Sequence, residues 1–303
     1  MSKPKIGFIG VGLMGHGMAK NIVEKGYRLS VICHRNREPV DDLVRRGAIE
    51  VKTPRAMAEC SDVIFLCLNS SPQVEDVILR ADGVLSGARP GLIVADSSTS
   101  DPASTLKLAG LLAEKKVTFC DAALGNTPAE AETGTLNAFL GADAATFATL
   151  RPVIETWAKT IVHVGETGSG HKVKLINNFI GMCNVATYAE AFAACQAMGL
   201  DPQKLYDVVR PGGLYNGMFE RITRWVTTRD PKAHQFRINN SLKDVIYFNR
   251  MVEEAGMTSL LGHATQHLYM LAKADGYGDK FMPRLVDVVT KLNGLPVKGS
   301  DVV

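Results

Sequence analysis

The sequence has no CxxC pair, no run of basic residues longer than two, no internal repeat and no low-complexity tract. Its six cysteines, at 33, 60, 67, 120, 183 and 195, show no paired spacing and mostly sit in apolar runs. That suits small buried hydrophobes and argues against a disulfide framework. A net charge of +3 over 303 residues is too weak to draw nucleic acid or an acidic membrane surface. No apolar stretch reaches the ~20 residues that span a bilayer. The opening Met1-Ser-Lys-Pro-Lys5 leads straight into an apolar strand instead of the long apolar core of a signal peptide. The seven histidines are scattered; His263 and His267 lie four apart on a helical stretch, with no nearby acid or cysteine to complete a site, so no metal is expected. What remains is a cytoplasmic globular chain, 46% hydrophobic and 21% charged, whose length fits two domains better than one.

What is present is alternation of strand and helix. Lys5-Ile-Gly-Phe-Ile9 reads as a buried strand, followed by Gly10-Val-Gly-Leu-Met-Gly15 and a helical pattern from Met18 to Lys25. Between a strand and a helix, GxGxxG is a dinucleotide fingerprint. Gly10 allows the tight turn, Gly12 lets the backbone approach a pyrophosphate, and Gly15 lets helix pack on strand. The helix N-terminus offers N–H groups to phosphate, and Leu13 and Met14 belong to the same cofactor turn. A second strand, Leu29–Cys33, ends where an NAD enzyme carries an acid for the ribose hydroxyls. Here the chain reads His34-Arg35-Asn36-Arg37, with Arg35 twenty residues beyond Gly15. An arginine fork suits a 2′-phosphate, which favours NADP over NAD; the other reading is a merely solvated loop.

The alternation continues with a helix around Pro39–Arg46, a strand at Val63–Leu68 and a helix opened by Asn69-Ser-Ser-Pro72. A strand at Leu92–Asp96, a helix from Pro102 and a strand starting at Thr118–Ala122 come next. Ala123–Gly134 reads as a polar loop, Asp143 as the cap of a helix over Ala144–Ala158, and Thr160–Val164 as the last strand. The pattern predicts an α/β fold, a Rossmann-type doubly wound parallel sheet over residues 1–165. Ligands of such sheets lie beyond the carboxyl ends of the strands, so the loops holding Leu68, Asn69, Ser98 and Thr99 are expected to line the cofactor cleft. For Ser98 and Thr99, helix N-capping is an equal alternative.

From Gly170 to Met198 no proline occurs, which predicts a helix ~43 Å long. Residues 166–198 therefore read as an interdomain helix. His171, Lys174 and Asn178 fall on one face near its start, where a cation and an amide can grip an oxygen or simply meet solvent. Beyond Gly199 only helices are expected: Pro202–Val209, Tyr215–Thr227, Ser241–Ala255, Ser259–Lys273 and Phe281–Leu292. They make an all-α C-terminal domain over 199–296, with a frayed tail after Gly294.

Four separated motifs resemble, in order and over nearly the whole chain, the β-hydroxyacid dehydrogenases, the 3-hydroxyisobutyrate dehydrogenase family. They are Phe8–Gly15 with Met18-Ala-Lys-Asn21; Asp121-Ala followed by Gly134-Thr-Leu; Gly168-x-Gly170-x-x-x-Lys174-x-x-Asn177-Asn178; and Lys243-Asp244. The resemblance implies an active site in a cleft between the two domains and a homodimer or homotetramer built through the helical one. It makes Lys174 the catalytic lysine, Asn178 its neighbour at the substrate and Lys243 a cofactor residue. The implied reaction is hydride transfer between NAD(P) and a small acidic aldehyde or β-hydroxy acid, with Lys174 as proton donor and acceptor. An imine reductase of the same fold, and a non-catalytic cofactor-binding scaffold, are the alternatives; both resemble this chain but lack the lysine.

The substrate segment departs from the family's Asp-Ala-Pro-Val-Ser-Gly-Gly, which carries a further glycine three residues later. Here it reads Asp121-Ala-Ala-Leu-Gly-Asn-Thr127, with Glu130 at the later glycine. The Gly-x-Thr form is similar to the sulfolactaldehyde and succinic semialdehyde reductase branch, which has arginine in place of Asn126. Substrate contacts are accordingly expected from Ser98, Leu124, Gly125, Asn126 and Thr127, the last two donating hydrogen bonds to an acid group, with His171 or Lys172 supplying charge.

Overall fold

The computed structural model describes residues 3–297. Among them, one eight-stranded sheet runs in the order β3-β2-β1-β4-β5-β6-β7-β8. The strands are β1 Ile6–Ile9, β2 Leu29–Val31, β3 Ile49–Glu50, β4 Val63–Leu66, β5 Ile93–Asp96, β6 Thr118–Gly125, β7 Leu136–Gly141 and β8 Ala158–Gly165. The helices between them are α1 Gly15–Glu24, α2 Glu38–Arg45, α3 Pro54–Cys60, α4 Ser71–Leu79, α5 Val84–Gly87, α6 Pro102–Ala113, α7 Pro128–Thr133 and α8 Ala144–Ile154.

Every residue of β1 and β4 is buried, as expected of unbroken apolar runs in a sheet covered on both faces. The strand period of two then sorts their side chains into separate cores. Ile6, Phe8 and Phe65 join Met18, Ile22, Leu29 and Trp157 on one side. Ile9, Ile64 and Leu66 join Met57, Val94, Leu108 and Phe119 on the other. Helix starts follow local chemistry. Thr53 accepts from the Ala56 N–H, Asp101 from Ala103, and Asp143 from both Ala145 and Thr146.

Three features differ from the sequence expectation. The sheet is not wholly parallel: β7 runs antiparallel to β6, with Asp121 opposite Gly141 and Gly125 opposite Asn137. A parallel return needs a crossover of about a dozen residues or more, and only residues 126–135 are available. Within that connection the expected polar loop is partly helix, because Thr127, Pro128 and Glu130 open α7. Helix α8 stops at Ile154 instead of reaching Ala158, since Trp157 turns inward to meet Phe65 edge-on at 6.1 Å between ring centroids.

The chain divides into two compact units between Lys174 and Leu175. The division falls inside the long helix α9, Ser169–Ala197. In the second unit, α10 Pro202–Val209, α11 Gly217–Thr228, α12 Ile238–Glu254, α13 Leu260–Ala272 and α14 Leu285–Leu292 enclose a core that includes Phe192, Phe219, Ile222, Tyr269 and Leu285. The expected fraying after Gly294 does not begin at once, because Gln196 Nε2 donates to the Pro296 carbonyl at 2.6 Å. The rest of that tail, 298–303, and Met1-Ser2 lie outside the described residues. All six cysteines are free thiols. No helix among the described residues is long and apolar enough to cross a membrane.

Candidate active site

The first candidate surface lies at the switch point of the sheet, where β1 is flanked by β2 on one side and β4 on the other. Gly10 turns the chain at φ +103°, and a side chain there would collide with the Cys67 carbonyl at the end of β4. A side chain at Gly15 would strike the Gly10 carbonyl, whereas at Gly12 a Cβ would meet nothing within 4 Å. The backbone is thus tightly packed on its inner side and open at Gly12, where a phosphate needs access. Helix α1 begins at Met14 with no side-chain cap and no acid in its first turn, leaving its positive end to an anion. Leu13 beside it is 74% exposed. These residues suit a dinucleotide.

After β2, His34, Arg35 and Asn36 are exposed. The two arginines of this loop differ. Arg37 holds both oxygens of Glu50, at 3.1 and 2.7 Å, and reaches Asp41 at 3.0 Å. The Glu50 hydrogen bond and the Asp41 charge push the Arg37 guanidinium further up, and Arg37 in turn holds the Glu50 carboxyl below its usual range. Asn36 is partly spent as well, its Oδ1 accepting from the Glu38 N–H at 3.2 Å.

After β4, the Leu68 N–H donates to Ser98 Oγ at 2.8 Å and the Asn69 N–H to Gln73 Oε1 at 3.1 Å. Ser98 is 2% exposed, so its hydroxyl joins two loops at the carboxyl edge of the sheet. It does not cap α6, nor does Thr99; that cap is Asp101.

Beyond β6 the chain places Asn126 at φ +77°, a left-handed conformation that asparagine tolerates better than most residues. Leu124 and Gly125 before it are buried, while Asn126 itself is exposed. Thr127 was expected to donate to a substrate acid group. Its N–H instead reaches Glu130 Oε2 at 3.0 Å, and its hydroxyl donates to the same oxygen. Glu130 therefore accepts from both donors of Thr127.

The start of α9 is fixed by a carboxylate distant in sequence. Asp121, fully buried in β6, accepts from the Gly168 N–H at 2.5 Å and the His171 N–H at 2.6 Å. Burial pushes its carboxyl up; the His171 charge and the two amides oppose that shift. Only glycine fits at 170, where a Cβ would come 2.5 Å from the Phe139 carbonyl and 2.7 Å from Asp121 Oδ2. His171 is itself fully buried, with Nδ1 2.7 Å from Thr105 Oγ1 and Nε2 3.8 Å from Asp96 Oδ2. This corrects its assignment as a substrate contact: its ring is engaged inside the first unit, beneath the helix start. Lys174, on the next turn, is only partly buried.

In the second unit Asn178 is 8% exposed and donates through Nδ2 to Asp244 Oδ2 at 2.6 Å. The other oxygen of Asp244 lies 3.1 Å from Lys243 Nζ. One carboxylate on α12 thus serves both the candidate substrate amide and the candidate cofactor lysine. Sequence reasoning noted Asp244 only as part of a motif and missed its role in aiming Asn178; nothing in the spacing signals a contact between helices. Among the described residues no three His, Cys, Asp or Glu side chains group to hold a metal ion. The expectation that no acid lies near His263 needs correction, since Glu253 Oε1 is 2.9 Å from its Nε2.

Comparison with known proteins agrees with this geometry. Residues 5–165 match the profile of the NAD binding domain of 6-phosphogluconate dehydrogenase. Residues 168–289 match that of the NAD-binding region of NADP-dependent 3-hydroxyisobutyrate dehydrogenase. The chain is 31% identical to the 2-(hydroxymethyl)glutarate dehydrogenase of Eubacterium barkeri over 98% of both sequences. It is 30% identical to the 3-sulfolactaldehyde reductase of Escherichia coli K12 over 97% of this chain and 98% of that one. The fold is shared with a 3-hydroxyisobutyrate dehydrogenase from Salmonella typhimurium, with a TM-score of 0.83, 24% identity and coverage of 94% of this chain and 99% of that one. Fingerprint, sheet order, helical second unit and full-length similarity converge: this chain is an NAD(P)-dependent oxidoreductase belonging to the 3-hydroxyisobutyrate dehydrogenase family.

Proposed function

We propose that the protein uses NADP in preference to NAD and interconverts a small acidic aldehyde and its hydroxy acid, of the 3-hydroxyisobutyrate, succinic semialdehyde/4-hydroxybutyrate or sulfolactaldehyde type. The observation that carries this reading is the anchoring of the Lys174 helix. Asp121 grips two amides at the start of α9, and the close fit at Gly170 removes slack, so the lysine projects from a fixed base. When bound, a nicotinamide cofactor would supply the hydride in reduction and accept it in oxidation. Lys174 then stabilises the developing alkoxide with its charge and gives it a proton, or takes one in the reverse direction. Asn178, one turn further along α9, orients the substrate hydroxyl, and its own amide is aimed by Asp244.

Gly10, Gly12, Leu13, Met14 and Gly15 would hold the pyrophosphate, with Leu68, Asn69 and Thr99 along the adjoining strand ends and Lys243 as a further cofactor contact. His34, Arg35 and Asn36 would meet the ribose end, Arg35 with a charge for the 2′-phosphate. The remaining substrate contacts would come from Ser98, Leu124, Gly125 and Asn126. We further propose a cytoplasmic homodimer or homotetramer, which sedimentation would resolve.

The test follows NADPH and NADH oxidation against a panel of small acidic aldehydes, with the wild type and Lys174→Ala. The variant should bind NADPH as before and lose ~10²-fold or more in kcat. A folded variant with retained turnover refutes the assignment.

A further inference from the structure

We propose that His16, with its ring protonated, is a positioning residue for the cofactor. It clamps α2 and α7 to the fingerprint helix, and cofactor affinity falls as the ring loses its second proton. The inference rests on the reading of Gly10–Gly15 and residues 34–36 as cofactor contacts. Three observations carry it.

The first is where His16 stands. It follows Gly15 directly, and its N–H donates to the Gly12 carbonyl at 2.9 Å, closing the turn at the glycine left open for a phosphate. Its ring lies between two further helices. Nε2 is 3.0 Å from Asp42 Oδ2 on α2, which begins directly after the His34–Arg37 loop. Nδ1 is 2.8 Å from Glu132 Oε1 on α7, which begins directly after Thr127. A Cβ at the neighbouring Gly17 would come 2.5 Å from the Ala131 carbonyl carbon, so α7 is seated directly on α1.

The second is the charge state that these contacts require. The Arg46 hydrogen bond, joined by those of His16 and Arg45, holds the Asp42 carboxyl well below its usual range. Burial works to raise the Glu132 carboxyl, but hydrogen bonds from Lys20 and His16 leave it below its usual range. Both groups are thus carboxylates, which only accept, whereas a neutral imidazole donates from one nitrogen only. The two ring contacts are both hydrogen bonds only while the ring carries two protons. Losing one sets a lone pair against a carboxylate oxygen.

The third is the arrangement of the other charges around the ring, Lys20 and Glu24 on α1 and Arg45 and Arg46 on α2. Lys20 Nζ holds Glu132 Oε2 at 2.9 Å, and Asp42 is held by Arg46 Nε at 2.7 Å and Arg45 Nη2 at 3.4 Å. Each carboxylate therefore keeps a cation when His16 is neutral. Arg46 also pairs with Glu24, the last residue of α1. Deprotonation accordingly leaves α2 tied to the far end of α1 and removes its tie at the cofactor end.

The test is the Kd for NADPH, by fluorescence titration from about pH 5.5 to 9, for the wild type, His16→Arg and His16→Gln. NADH titrated in parallel keeps the result independent of the preference for NADPH. His16→Arg has donors for both carboxylates at every pH, and dividing by its Kd removes the titration of the cofactor's own phosphates. His16→Gln has one amide nitrogen and serves one carboxylate. Relative to His16→Arg, the wild type should bind equally at the acid end and about tenfold more weakly at the alkaline end, and His16→Gln about tenfold more weakly throughout. The ratio of wild-type Kd to that of His16→Gln gives the same answer without the arginine variant, climbing from about a tenth to about one. Ratios flat with pH, or His16→Gln matching the wild type at the acid end, overturn the inference. So does a change confined to the thermal midpoint with Kd unmoved, which is all that a purely structural role predicts. A wild type that binds neither cofactor would refute the reading of the cofactor residues, and this inference with it.

Discussion

Replacing Asp244 with alanine removes the acceptor shared by Asn178 Nδ2 at 2.6 Å and Lys243 Nζ at 3.1 Å. Both oxygens of Asp244 lie in the interior, the residue being 2% exposed. A hydrogen bond to a charged group contributes about 1.5–3 kcal/mol, and an amide left buried without its partner costs about 1–3 kcal/mol more. The sum, about 2.5–6 kcal/mol, brackets the ~3–5 kcal/mol that breaking a buried polar pair from one side usually costs. In a helical unit of this size that lowers the thermal midpoint by about 10 °C or more. Asp244→Asn, which keeps shape and one acceptor, should lose about half as much.

The decisive measurement is a double-mutant cycle of Asn178→Ala and Asp244→Ala, read by denaturant unfolding and by kcat/KM. If Asp244 aims Asn178, the two changes share one interaction and their effects fall short of additive by about 1.5–3 kcal/mol. Additivity within about 0.5 kcal/mol would show that the two side chains act independently and would refute the role given to Asp244.

Arg35→Gln should reduce the preference for NADPH over NADH about tenfold in KM ratio, the loss of one phosphate-facing charge. Arg37→Gln should leave that ratio within about twofold, since its guanidinium is already held by Glu50 and Asp41; the opposite ranking would reverse the roles of the two residues. His234 gives a pH prediction: burial, with the nearby Arg221 charge, lowers its pKa to about 4, so it stays neutral in the folded chain while the unfolded chain takes up a proton near pH 6.5. Its contribution to stability is therefore complete above about pH 6.5 and fades as pH falls toward 4, and His234→Gln should flatten the thermal midpoint across that window. A wild-type midpoint already flat there would contradict the burial.

Some of this was legible in the sequence because local rules and tertiary burial agree. Ile6–Ile9 and Val63–Leu66 are unbroken apolar runs, and both became strands covered on two faces. Asp143 reads as a cap and is one. Helical spacing placed His171, Lys174 and Asn178 on one face, but spacing says nothing of what that face meets. His171 meets Thr105, sixty-six positions away in sequence, and Asn178 meets Asp244 at the same separation, on another helix. His171 is consequently interior support, the Asn178 amide is held by a carboxylate, and Lys174 is partly buried. The antiparallel β7 was hidden for a different reason: the connection before it is short, and the glycine-rich pattern of related proteins makes it look like loop.

The helix inside that connection was within reach of sequence reasoning. Thr127-Pro-Ala-Glu130 is a capping signature with proline at the first helical position. What obscured it is length, since α7 has six residues and no hydrophobic period can declare itself over so few.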